Sequence, residues 1–134
     1  MAVKFIDHTE KVKGAISSNI NAVLEECAGE VESQAARNTR VDTGKTKGDW
    51  GHYVDDEKHE ATIGNKSENS IWEEFGTGEH ALEGNGRKGG WFYVDEEGEG
   101  HFTFGKKPSR AFFKAWSTLK NKIIKRIQDS LKGL

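Results

Sequence analysis

Apolar residues recur at steps of three and four at both ends of this chain, and that pattern constrains its fold more than any other feature. Near the N-terminus the series is Val12, Ile16, Ile20, Val23, Leu24, Cys27, Val31 and Ala35. Such steps lie on one stripe of a 3.6-residue helix. The sequence therefore predicts a helix from Thr9 to Asn38, with Asp7 or Thr9 capping its start. Glu10, Lys11, Glu25, Glu26, Glu30 and Glu32 fall mostly off the stripe, so one side packs and the other meets solvent or a partner. Near the C-terminus Phe112, Trp116, Leu119, Ile123, Ile127 and Leu131 repeat the pattern, predicting a second helix over Ser109 to Lys132. Pro108 sits just before it, Ser109 is the candidate cap, and Lys114, Lys122, Lys125 and Lys132 are displaced from the stripe.

Between the two helices the period changes. Trp50, His52 and Val54 alternate with Asp49, Gly51 and Tyr53, as in a half-buried strand. A partner strand over Glu60–Ile63 is reached through the turn residues Asp55 to Lys58. Ser70 to Thr77 reads as a short helical turn stopped by Gly76. Trp91 to Val94 and His101 to Phe104 read as a hairpin across Asp95 to Gly100. The segment Gly78 to Gly90 holds Gly78, Gly84, Gly86, Gly89 and Gly90 among polar residues. Glycine loses the most backbone freedom on ordering, so this loop is expected to be mobile in the isolated chain. A loop of that length is usually functional rather than a mere connector. The predicted fold is α+β: two long helices, N- and C-terminal, packed on a small, mainly antiparallel sheet, with residues 1–134 forming a single domain.

Charge is divided unevenly along the chain. Residues 1–52 carry a net −1, residues 53–104 a net −9 and residues 105–134 a net +8. An acidic middle beside a basic C-terminal helix invites pairing within the chain or between subunits. No run of apolar residues is long enough to span a membrane, and Met1 to Glu10 lacks the apolar core of a signal peptide, so a cytoplasmic setting without membrane contact is the expectation. Cys27 is the only cysteine, which excludes an intrachain disulfide and a thiolate metal cluster. Its place on the helix stripe makes it a small core hydrophobe.

Catalytic patterns fare poorly. Gly44-Lys45-Thr46 resembles the end of a phosphate-binding loop, but Thr39 stands where that loop needs glycine. The order helix, loop, strand is also the reverse of what the phosphate cradle requires. His8, His52, His59, His80 and His101 form no helical metal pair and lie near no cysteine. Glu73, Glu74, His80 and His101 are the one set that folding could gather into a metal-dependent hydrolase site, although Glu73 and Glu74, being adjacent, cannot face one point from a helix. Trp72, Phe75, Trp91, Tyr93, Phe102, Phe104, Phe112, Phe113 and Trp116 could stack on bases, but their stripes make them core residues first.

Three local patterns in order carry a family resemblance: Val41-Asp42-Thr43-Gly44-Lys45-Thr46, then Trp72-Glu73-Glu74-Phe75-Gly76-Thr77, then Lys107-Pro108-Ser109-Arg110-Ala111-Phe112-Phe113-Lys114-Ala115. Gly89-Gly90-Trp91-Phe92-Tyr93 lies between the second and third. This order resembles the head–tail joining or tail-completion (neck) proteins of long-tailed, non-contractile bacteriophages and prophages, over roughly residues 20–130. The chain differs from the family pattern at Arg40-Val41, where a proline is usual, at Thr46, where an apolar residue is usual, and at Ala111-Phe112, where Pro-Phe is usual.

The resemblance implies a virion scaffold without catalytic residues, cofactor or metal. It implies a ring, typically hexameric, that caps the head-proximal end of the tail. The expected partners are further copies of the chain, head-completion or connector proteins and the tail tube protein. The free chain is expected to be largely monomeric and to be assembled in the host cytoplasm. Gly84, Gly86, Arg87, Lys88, Gly89, Lys114, Lys122 and Lys125 are the candidate assembly residues. Lys114, Lys120, Lys122, Lys125 and Arg126 could in addition meet DNA phosphate non-specifically in the neck channel. The alternative reading is a small nucleic-acid-binding module built on the same basic helix.

Overall fold

A computed structural model describes residues 3–4, 6–40 and 45–132, with Lys45 described by its backbone. The elements run α1 (Thr9–Asn38), α2 (Lys45–Gly48), β1 (Trp50–Asp55), β2 (Glu60–Asn65), α3 (Ser70–Phe75), a single 3-10 turn (Gly78–His80), β3 (Trp91–Val94), β4 (Gly100–Thr103) and α4 (Ala111–Lys132). Residues 41–44, which hold most of the first family pattern and the phosphate-loop-like glycine, lie outside the described residues.

The helix α1 has the predicted bounds. The Asp7 carboxylate accepts the backbone N–H of Thr9 at 2.8 Å, holding one of the amides that a helix start leaves without an internal partner. Antiparallel to α1 lies α4. Asn38 Nδ2 donates to Ala111 O at 3.2 Å at one end, and Asn19 Nδ2 donates to Ser130 O at 3.1 Å at the other. Ala28, Ala35, Ala111 and Ala115 are buried almost completely, and these short side chains line the two facing helices. Beside them Cys27, Val31 and Ile123 form the core centre, joined by Val23, Ile63, Phe112, Leu119 and Ile127. Burial pushes the Cys27 thiol pKa up, as expected for a packing residue rather than a reactive one.

Both stripes are only partly used. Val12 lies on the predicted stripe of α1 but is 54% exposed. The reason is length: the described part of α4 ends level with Asn19, so the first turns of α1 have no helix opposite them. On α4, Trp116 and Leu131 remain 37% and 44% exposed.

The expected sheet is divided. β1 and β2 form one antiparallel ribbon, in register from Trp50 opposite Asn65 to Asp55 opposite Glu60. β3 and β4 form a separate ribbon, from Trp91 opposite Thr103 to Val94 opposite Gly100. Asp55 and Asp95 shape the two turns in the same way, each accepting two backbone N–H groups from the following residues. The first ribbon packs on α1. Trp50 stacks on Phe112 at 6.0 Å and donates its indole N–H to Thr39 Oγ1 at 2.8 Å.

Four carboxylates of α1, those of Glu25, Glu26, Glu30 and Glu32, meet the chain's other elements. Arg126 of α4 donates to Glu30 at 3.0 Å and lies 3.5 Å from Glu26. His52 of β1 bonds Glu25 through Nε2 at 2.6 Å and Glu32 through Nδ1. Gly29 lies beneath the imidazole, where an added Cβ would stand 3.8 Å from His52 Cε1. Two carboxylates on two ring nitrogens suit the imidazolium, because both nitrogens then donate. The bonds to Glu32 and then Glu25 hold the His52 pKa above its ordinary 6.5.

Two outcomes follow. Ala115→Leu would force the helices apart and is expected to cost about 1–3 kcal/mol by urea unfolding; an unchanged midpoint would contradict the close helix contact. His52 has its pKa raised by folding, so its contribution is complete below the unfolded value near 6.5 and is lost as pH rises through the folded value. The stability gap between wild type and His52→Gln should therefore shrink as pH is raised above 6.5; a gap that widens would show the clamp is not an imidazolium.

Candidate functional site

The second and third family patterns meet in space. α3 stops at Gly76, whose N–H donates to Trp72 O at 2.8 Å and whose φ is +76°. A side chain there would be strained, and its Cβ would lie 2.8 Å from Pro108 Cδ and 2.9 Å from Lys106 O. Thr77 then locks onto the segment between β4 and α4: its N–H donates to Lys106 O at 2.9 Å, and its hydroxyl accepts the Lys106 N–H at 2.8 Å. Glu79 N donates to Phe104 O at 2.9 Å.

The two adjacent glutamates diverge, as adjacent helical positions must. The Glu73 carboxylate, with only 17% of its side chain exposed, pairs with Lys106 Nζ and has Arg40 Nη2 at 3.3 Å. Arg40 also donates to Lys107 O at 2.7 Å, and Ser109 N donates to Glu73 O at 2.7 Å. These contacts tie the end of α1 to α3 and to the approach of α4. Glu74 instead accepts the N–H groups of Phe112 and Phe113, both at 3.0 Å. It thus caps α4 from 38 residues away and sets a negative charge at the positive end of the helix dipole. The helix begins at Ala111 rather than Ser109 because Arg110 takes φ +57°. The Arg110 guanidinium lies over the Phe113 ring at 4.3 Å and near Phe75 at 5.9 Å.

Beside this junction opens a cleft of about 410 Å³ whose apolar walls include Trp50, Ile63, Ile71, Phe75, Phe113 and Trp116. Elsewhere the β3–β4 hairpin has two unlike faces. Trp91, Tyr93 and Thr103 line a small hollow with Thr77 and Lys106. The other face carries Phe92, Val94, Phe102 and Phe104, which are 66%, 61%, 62% and 50% exposed.

The sequence-predicted assembly residues are scattered. Gly84, Lys88 and Gly89 are exposed, and Gly89 N donates to Glu79 at 3.3 Å. Gly86 packs so closely on Gly78 that a Cβ would meet Gly78 O at 2.0 Å. Arg87 lies over the Trp91 ring at 5.5 Å. Lys114 and Lys125 are exposed on α4, whereas Lys122 stands 4.0 Å from Glu30. Part of the basic helix is thus neutralised by α1 rather than by the acidic middle. Glu73, Glu74, His80 and His101 are not gathered into one site: Glu73 and Glu74 hold the junction, and His101 Nε2 bonds Asp95 at 2.7 Å. Asp95, Glu99 and His101 do bring three ligand atoms within 4.8 Å of one another, but Asp95 is already engaged by its turn amides and by His101. The Glu74 cap and the Arg110 stacking were not read from the sequence.

Glu74→Ala is expected to destabilise the chain by about 2 kcal/mol, through loss of the α4 cap, and Glu74→Gln by less. Urea unfolding beside the exposed control Glu68→Ala checks this; equal costs for Glu74→Ala and Glu68→Ala would refute the cap.

One family model matches the chain, over residues 4–76: the family described as Bacteriophage HK97-gp10, putative tail-component. Neither the curated proteins nor the solved structures give a match. The match covers more than half of the chain and includes the Glu73–Gly76 part of the junction. The chain therefore belongs to the HK97 gp10-like family of phage tail components, the head–tail joining or tail-completion group that its motif order resembles.

Proposed function

We propose that this chain is a structural virion protein that caps the head-proximal end of the phage tail and joins it to the head connector. In this reading residues 1–134 act as one domain, largely monomeric when free and a ring, typically hexameric, in the virion. Its neighbours are further copies, head-completion or connector proteins and the tail tube. The role is one of binding, not catalysis.

One observation carries the reading. The family-pattern residues Glu73, Glu74, Gly76 and Thr77 are spent on holding the fold, while large apolar side chains stay open on the hairpin and in the cleft. Monomeric proteins rarely expose such contiguous patches unless a partner covers them. The acidic middle supports the same reading, because α4 draws its ion pairs from Glu26 and Glu30 of α1 and leaves Glu96, Glu97 and Glu99 exposed. Gly84, Gly86, Arg87, Lys88 and Gly89, with Lys114, Lys122 and Lys125, are the residues we assign to neighbour contacts, the loop ordering as they form. Lys114, Lys120 and Lys125 also suit non-specific contact with DNA in the channel.

Particles made without the protein should appear as filled heads beside separate full-length tails in electron micrographs. Deleting Gly84–Gly89 should give the same picture while leaving the chain folded. Joined, infectious particles in the absence of the protein would overturn the reading.

A further inference from the structure

Among the described residues, two bare apolar surfaces, on the hairpin and in the cleft, stand beside charges of opposite sign. On the hairpin face Phe92 and Phe102 are cross-strand partners, with Val94 and Phe104 flanking them. The cleft between α3, β2 and α4 is concave and walled by Phe75, Phe113 and Trp116. The hairpin ends in Asp95, Glu96, Glu97 and Glu99. Arg110 is on the lining of the cleft, and Lys120 follows one helical turn beyond the lining residue Trp116. Among the described residues neither cation has a carboxylate within ion-pair range. Each surface therefore lacks what the other carries.

We infer that the β3–β4 hairpin of one copy seats its Phe92/Phe102 face in the α3–α4 cleft of the next copy, with its acidic tip against Arg110 and Lys120. The inference rests on the ring reading above and names the subunit contact within it. Two different surfaces on each copy make the contact heterologous, which is the kind that closes into a ring. Aromatic residues bury about 150–250 Å² each, so at their present exposure these four side chains offer on the order of 450 Å². A stable pair buries about 800 Å² per partner. One such contact alone is thus too small to hold two free copies together, and a closed ring, in which every copy makes two, is the state it favours. The opposite charges set orientation and speed of encounter more than affinity.

Cysteine pairing tests the contact. Phe102→Cys and Phe113→Cys change exposed side chains, and the native Cys27 is buried, so the folded wild-type chain serves as the unreactive control. The two variants are mixed at a concentration on the order of 1 mM, where a weak contact is populated, and treated with a short bis-maleimide. A dimer is expected in the mixture and in neither variant alone, and the double variant should give a ladder. Replacing Glu96, Glu97 and Glu99 by glutamine should lower the mixed yield several-fold. Cross-linking of Phe102→Cys with itself would mean a symmetric hairpin pair and would overturn the inference. So would an absence of cross-links in the mixture, or a yield indifferent to the three glutamines. These outcomes are separable from failure of the joining role, which is read independently from particles lacking the protein: unjoined heads and tails without the cross-link would sink the contact and leave the role standing.

Discussion

Everything else in the molecule is hung on the antiparallel contact between α1 and α4. Its seam has small side chains on both helices, Ala28 and Ala35 on α1 and Ala111 and Ala115 on α4, each almost fully buried, and the larger side chains Val31, Ile123 and Phe112 fill the space beside them. Such a seam is intolerant: it has no room for a longer side chain. Ion pairs flank it, with Arg126 bound to Glu30 and near Glu26, and these fix the axial register that alanines alone would leave loose. In a partly exposed setting such pairs add more to register than to stability.

The junction of the family patterns serves that contact. A helix start leaves amides without partners, and at α4 the Glu74 carboxylate supplies them. Gly76 lets α3 stop where Pro108 passes, and Glu73 draws Lys106 and Arg40 to the same point. A pair of neighbouring acids that resembles half of a hydrolase site is instead a structural clamp, each member turned to a different cation or helix end. This division explains how a small polar chain can leave aromatic surface open without losing its fold. Stability comes from the seam and the clamp, and the apolar side chains of the hairpin and the cleft stay exposed.

The sequence by itself determined most of the elements, though not α2, the 3-10 turn or the start of α4 at Ala111. The bounds of α1, the order of strands and turns and the stop at Gly76 all follow from local rules, because helix and strand periods and turn chemistry act over a few residues. The motif order likewise pointed to the family. Tertiary structure alone decided which surfaces those elements keep. Val12 and Trp116 lie on stripes that promised burial, yet the described part of α4 reaches only to the level of Asn19 and the cleft opens beside Trp116. The sheet became two ribbons because nothing in a strand's own pattern specifies its neighbour. Glu74 meets Phe112 across 38 residues and Arg126 meets Glu30 across 96. Such pairings carry no local signature: they exist only once packing has brought distant segments within hydrogen-bonding distance.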